Sequence, residues 1–145
     1  MIEYYAGCLL NVLNSLVEKN KFSGDLMGAL NSKPYSDKQF NDMALIRKKS
    51  RKLAYMVGQV LGPLKPMEQI GEKVEAAMKI METEQEKAIL ELESCMYLFV
   101  HFLDGQKDIP KSANGLIGLM SNLPLEVVQV RRTVIDLIST LSPYL

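Results

Sequence analysis

Apolar residues recur at steps of three and four along nearly the whole chain. Ile2, Tyr5, Leu9, Leu13 and Leu16 form the first series. Phe40, Met43, Ser50, Leu53, Val57 and Leu61 lie along a second stripe, and Met67, Ile70, Val74, Ala77 and Met81 along a third. Ile89, Leu92, Met96, Phe99 and Leu103 make a fourth, and Val127, Val130, Val134, Leu137 and Leu141 a fifth. At 3.6 residues per turn these steps place each series on one helix face. No segment sustains the period-two alternation of a half-buried strand, so the spacing predicts an all-α protein.

Local signals punctuate the pattern at the expected places. Ser36-Asp-Lys-Gln39 and Thr83-Glu-Gln-Glu86 both fit a capping box. In that motif a hydroxyl caps a free N–H, and the Glu or Gln reaches back. Gly62-Pro63 and Lys65-Pro66 break the chain between the second and third helices. Pro110 and Pro124 fall near helix starts, and Asp104-Gly105-Gln106 marks a stop. The segment 21–35, with Gly24, Gly28 and Pro34, is the longest irregular stretch. It has room for one short helical turn near Leu26 to Leu30.

Long helices beginning near Asp37, Glu84 and Leu125 recur at about 40–47 residues, with a shorter helix between each pair. A shift of 38 pairs Ile89 with Val127, Met96 with Val134 and Phe99 with Leu137, and a shift of 42 pairs Leu53 with Cys95 and Val57 with Phe99. The expected architecture is therefore a HEAT-like α-solenoid segment of about three helical hairpins. It occupies a single domain over 1–145. A first helix and irregular connection fill 1–35. Repeat units follow at 36–82, 83–122 and 123–145, the last incomplete. The long helices should run parallel to one another, with helices near 67–81 and 110–121 antiparallel between them.

Particular residues carry a family likeness. Gln39-Phe40, Arg47, Leu53, Val57 and Leu61-Gly62 resemble the long helix of a HEAT repeat in importin-beta-type receptors. Leu92-Glu93-Ser94-Cys95-Met96-Tyr97-Leu98-Phe99 resembles the helix that follows it. Gly115-Leu-Ile-Gly-Leu-Met120 with Val130, Thr133-Val-Ile-Asp-Leu-Ile138 and Leu141-Ser142 is similar to the next hairpin. The order is most similar to the transportin-SR branch of the karyopherin-beta superfamily, over 38–145. The resemblance implies a right-handed HEAT solenoid that carries cargo through nuclear pores under control of the GTPase Ran. Cargo, a Ran-type GTPase and FG nucleoporins are the partners it implies, and cytoplasm and nucleus the location.

Composition narrows the alternatives. The chain has 145 residues, 48% hydrophobic and 23% charged, with 17 basic against 17 acidic side chains. Those values exclude a disordered chain. Zero net charge gives no overall pull toward nucleic acid or an anionic membrane. The longest uncharged runs, 4–17 and 112–125, span 14 residues each, short of the roughly 20 that cross a bilayer. Cys8 and Cys95 are too few for a disulfide framework or a four-cysteine zinc site, and suit a reducing intracellular compartment. The balance conceals a segregation: residues 1–66 hold 10 basic and 5 acidic side chains, net +5, and residues 67–145 hold 7 and 12, net −5.

No nucleophile–base pair, metal cluster or phosphate-binding motif stands out, so no enzyme activity and no cofactor are expected. His101, between Val100 and Phe102, reads as a structural residue. Gly115-Leu-Ile-Gly118 reads as close helix packing rather than a phosphate loop. The run Arg47-Lys-Lys-Ser-Arg-Lys52 is the clearest charged feature. A solvated helix face explains it, as does a surface for an acidic partner, a nuclear localisation signal or nucleic-acid binding. Glu82, Glu84, Glu86, Glu91 and Glu93 are its acidic counterpart. Helix-dipole stabilisation accounts for the first three, and docking of basic partner segments is the functional alternative. The nine methionines fit core filling.

The reading that follows is a non-catalytic protein-binding segment of a nuclear transport receptor. Arg47, Lys48, Arg51, Lys52, Glu82, Glu84 and Glu86 are its candidate partner-binding residues. A HEAT-like scaffold outside nuclear transport, and nucleic-acid binding through the basic helix, are the alternatives. Arg47, Lys48, Arg51 and Lys52 should be exposed, and Leu53 and Val57 buried. The first and last helices lack partners in a solenoid, so their apolar stripes should drive self-association.

Overall fold

A computed structural model describes residues 2–22, 38–62, 64–103, 118, 123 and 125–144. The described residues form helices and turns, with no strand among them, and the protein is all-α. Five α-helices follow in order: α1 (Ile2–Lys19), α2 (Lys38–Leu61), α3 (Leu64–Lys79), α4 (Gln85–Leu103) and α5 (Val128–Leu141), the last running into a 3-10 turn at Ser142–Tyr144. The expected helix at 110–121, the capping box at Ser36, the stop at Asp104-Gly105-Gln106, Pro110 and Pro124 lie outside the described residues, Gly118 apart.

The breaks are local chemistry. α2 ends where Gly62 adopts φ 76°, a left-handed conformation that glycine enters without a Cβ penalty. Pro66 sits in the first turn of α3, where a missing N–H costs no helical bond. Between α3 and α4 the Ile80 carbonyl accepts from the Glu84 N–H at 2.7 Å and the Thr83 N–H at 3.1 Å. The Thr83 hydroxyl also donates backward to Ile80, at 3.3 Å. The expected capping box is thus replaced by a turn that satisfies the end of α3.

α4 is the axis of the fold and packs against each of the other four helices. Ala88, Leu92, Glu93, Ser94, Cys95, Met96, Leu98, Phe99 and Phe102 are all buried, which covers its full circumference. A helix that reads apolar nearly all round is a central one. Registers give the directions. Arg47 of α2 meets Glu93 of α4, and a Cβ on Gly58 would lie 3.3 Å from Phe102, so α2 and α4 run parallel. Ser94 bonds Val17 and Glu91 pairs with Lys21, so α1 is antiparallel to α4. Phe22 touches Leu90 and Val127, while Glu93 bonds Gln129 and Thr133, so α5 runs with α4. The tight turn makes α3 antiparallel to α4. α2, α4 and α5 therefore share a direction, although α5, at 14 residues, is shorter than α1 (18) and α3 (16), so the expected alternation of long and short helices does not hold.

The packing departs from a strict stack in which each hairpin touches only its neighbours. α1 packs against α2, α3 and α4, and one buried cluster runs from Leu13 and Val17 through Met67, Ile70 and Phe99 to Val134 and Leu137. It also covers part of each terminal stripe. Leu13 and Leu16 of α1, and Val130, Val134, Leu137 and Leu141 of α5, are buried within the chain itself. Tyr5 at 58% and Ile138 at 46% stay exposed, so each end keeps part of the apolar surface expected to drive self-association. Gln69 adds a polar tie, its amide donating to the Leu10 carbonyl at 3.0 Å and to Asn14 Oδ1 at 2.6 Å.

The inward face of α2 keeps Ser50 and Val57 of the expected stripe, but Ala54 takes the place expected for Leu53 and Arg47 joins it. Arg47, Ser50, Ala54 and Val57 point inward, whereas Leu53 is 46% exposed. Ala54 is fully buried because its small side chain lets α2 approach the core closely. Leu53→Ala should therefore cost about 1 kcal/mol or less, and Ala54→Leu about 1–3 kcal/mol from overpacking. Urea unfolding of the two variants checks the register; the reverse order would show the wrong face.

Candidate partner-binding face

α2 presents two different chemistries on its two sides. Inside, Arg47 is buried at 7% exposure, which corrects its expected place on the surface. Its Nη1 donates to Glu93 Oε1 at 2.8 Å, and its Nη2 donates to Glu93 Oε2 at 2.5 Å and to the Asn20 carbonyl at 2.6 Å. The guanidinium carbon lies 4.5 Å from the Phe22 ring centroid and 4.3 Å from that of Tyr97. A planar cation between two ring faces, forked onto a carboxylate, uses the geometry that distinguishes arginine from lysine.

The rest of the node satisfies Glu93. Its Oε1 also accepts from Thr133 Oγ1 at 2.7 Å and from Gln129 Nε2 at 3.3 Å, two residues one turn apart on α5. The carbonyls left over at the end of α1 accept tertiary donors: Val17 from Ser94 Oγ at 2.7 Å, and Asn20 from Arg47. A cation at that helix end is also favoured by the dipole. Arg47 is thus a structural residue, held by α1, α4 and, through Glu93, α5.

Outside, α2 is basic and apolar together. Leu45, Lys49, Lys52, Met56 and Val60 follow steps of three and four down the face opposite Ala54. All are exposed, Met56 at 60% and Val60 at 69%. Lys48, Arg51 and Tyr55 flank this stripe on the side of α4 and are exposed as well. Between the two helices lies an open cleft of about 320 Å³ lined by Arg51, Lys52, Tyr55, Met56 and His101. The His101 ring stands edge-on to Tyr97, with centroids 4.9 Å apart. Tyr97 in turn donates its hydroxyl to the Arg47 carbonyl at 3.0 Å. The wall of the outer cleft therefore rests on the inner node.

The acidic run divides in the same manner. Glu82, Glu84 and Glu86 are exposed in the turn and first turn of α4, with Glu84 4.0 Å from Lys87. A second open cleft of about 420 Å³ there is lined by Lys21, Glu84, Gln85, Glu86, Lys87 and Leu90. Lys21 pairs with Glu18 at 2.8 Å and with Glu91. Partial burial alone would lower the Lys21 pKa, but these two carboxylates outweigh it and the net shift is upward. From Glu86 to His101 is 15 residues of helix, about 22 Å of rise. The basic and acidic candidates are therefore separate surfaces. A Cβ on Gly118 would meet nothing within 4 Å, so close packing is not what places a glycine there.

Sequence reasoning missed the node because arginine and glutamate ordinarily stay in water. The available signal was that Arg47 continues the inward stripe of Ser50, Ala54 and Val57. The partners stand 46 and 40 residues apart in sequence, and no local spacing joins them.

The thiols give a direct check. Cys8 is exposed and Cys95 is buried. Burial, aided by Glu91, pushes the Cys95 thiol up from 9.0 to about 12. One thiol per chain, Cys8, should react promptly with a disulfide reagent, and Cys95 only on unfolding. Above pH 9.0 an unfolded Cys95 ionises while the folded one stays neutral. Its contribution to stability is therefore present below that pH and lost as pH rises toward 12. Two promptly reactive thiols would contradict the packing of α4.

Among the described residues no three His, Cys, Asp or Glu gather as a metal site, and no helix is long and apolar enough to cross a membrane. Comparison of the chain with models of protein families, with curated proteins and with solved structures finds no match.

Proposed function

We propose that this chain is a non-catalytic protein-binding segment that docks partners on the outer face of α2. The observation that carries the reading is the composition of that face. No Asp or Glu occurs from 43 to 67, while Lys48, Lys49, Arg51 and Lys52 all stand exposed on the helix. Leu45, Ile46, Leu53, Tyr55, Met56 and Val60 stand exposed among them. Solvated helix faces rarely collect that many large apolar side chains on a single stretch, whereas interfaces do.

The finer reading is a segment of an importin-beta-type nuclear transport receptor built of HEAT-like hairpins and moving between cytoplasm and nucleus. The shared direction of α2, α4 and α5 and the motif resemblance over 38–145 support it. Biolayer interferometry with the immobilised chain tests it. Binding to Ran-GTP or to FG-repeat peptides, weakened by Lys52→Glu, is the expected result. No binding to either removes the transport reading and leaves a helical adaptor. Binding of DNA or RNA alone would remove both.

A further inference from the structure

We infer that the ligand of the α2 face is an acidic amphipathic helix of a partner protein, with an apolar side chain seated in the cleft between Tyr55, Met56 and His101. The inference rests on the protein-binding reading and names the chemistry of the partner. Three observations converge on it.

The first is uncompensated charge. Lys48, Lys49, Arg51 and Lys52 make no ion pair among the described residues, although Glu18, Glu84 and Glu91 elsewhere do. Four cations on two turns repel one another, and carboxylates brought by a partner relieve that repulsion. The second is the interleaving. Leu45, Lys49, Lys52, Met56 and Val60 share one stripe, so two cations sit between apolar positions along the line of contact. A helix carrying apolar residues at i, i+3 or i+4 and i+7, with Asp or Glu beside them, matches both sets at once. The third is the cleft. Its roughly 320 Å³, bounded by two aromatic rings, a thioether and the stems of Arg51 and Lys52, accepts one large aliphatic or aromatic anchor.

The same stripe argues against two other occupants. A nucleic-acid backbone is met by the cations alone and would leave Leu45, Met56 and Val60 in water. A membrane surface requires the apolar residues at the centre and the cations at the flanks. Here Lys49 and Lys52 lie on the centre line between Leu45 and Met56, where insertion would bury their ammonium groups.

The test is selection of displayed 16-residue peptides on the immobilised full chain, followed by affinity measurement of the enriched peptides. The expected peptides carry Asp or Glu together with apolar residues at helical spacing, and gain helicity on binding. K49E/K52E should weaken them by about tenfold or more, and a Lys-for-Glu version of the peptide should bind that variant better than the parent. M56A should weaken binding without changing its salt dependence. Both changes are at exposed positions, so unaltered melting curves separate lost binding from lost fold. No enrichment, peptides without acidic excess, or affinities indifferent to K49E/K52E would overturn the inference. So would equal or tighter binding of an oligouridine RNA or of phosphatidylserine vesicles that the same variant abolishes. If the peptides fail while Ran-GTP or FG repeats still bind, only this ligand chemistry falls.

Discussion

Arg47→Met should destabilise the protein by about 3–5 kcal/mol, a large share of what a domain of this size has. The loss is not the intrinsic worth of the ion pair. Glu93 is completely buried, and without Arg47 its carboxylate keeps only Thr133 and Gln129 as donors. A buried charge with no counter-charge is the costly species. The Asn20 carbonyl loses its donor at the same time, and Phe22 and Tyr97 lose the cation between them. Removing both charges is the informative control. In R47M/E93Q the glutamine still accepts from Thr133, so the double variant should recover roughly half of the loss. Urea denaturation followed by circular dichroism reads all three proteins. An Arg47→Met cost below 1 kcal/mol would mean that water reaches the node and that α2 is not docked as described.

Phe99→Ala should cost about 3–5 kcal/mol by leaving a cavity at the centre of the bundle. Phe99 is 2% exposed and lies on the helix that every other helix touches. The cavity would be shared by several elements, so collapse of one neighbour cannot fill it. Because one buried cluster spans α1 to α5, the variant should unfold in a single transition at lower urea. Two separated transitions would show that the ends melt independently, as units of a loosely coupled stack do.

Much of this architecture was legible in the sequence, and the failures are physical rather than random. The stripes of α3 and α5 match at four of five positions each, because Met67, Ile70, Val74 and Ala77, and Val130, Val134, Leu137 and Leu141, are simple apolar faces, while Met81 and Val127 lie beyond the helix ends and are partly buried. α2 misled because its inward face contains a cation, a hydroxyl and an alanine. A reading that follows hydrophobicity prefers Leu53 to Ala54, while close packing prefers the smaller side chain. With Ser50 and Val57 inward as expected, but Arg47 and Ala54 inside in place of Leu53, the outer stripe of Leu45, Lys49, Lys52 and Met56 becomes visible. The basic run was conspicuous from the start. Its division into one structural arginine and four surface cations needed the third dimension. The node itself depends on Asn20, Phe22, Gln129 and Thr133, none of which carries a local motif.

The wiring of that node has a consequence for how the chain acquires its fold during synthesis. Translation delivers α1 first, and Arg47 appears well before Glu93. Until then the guanidinium has only water and the end of α1 to bond. When Glu93 emerges, the pair can close across α2 and α4, but one flank of the carboxylate stays wet until Gln129 and Thr133 leave the ribosome. Docking of α5 is therefore the step that expels water from the node and seals it. A nascent chain stalled before residue 129 holds a hydrated ion pair and an uncovered face of α4, the kind of transiently open species that chaperones engage. α5 acts as the latch, and the commitment to a dry interior waits for its arrival.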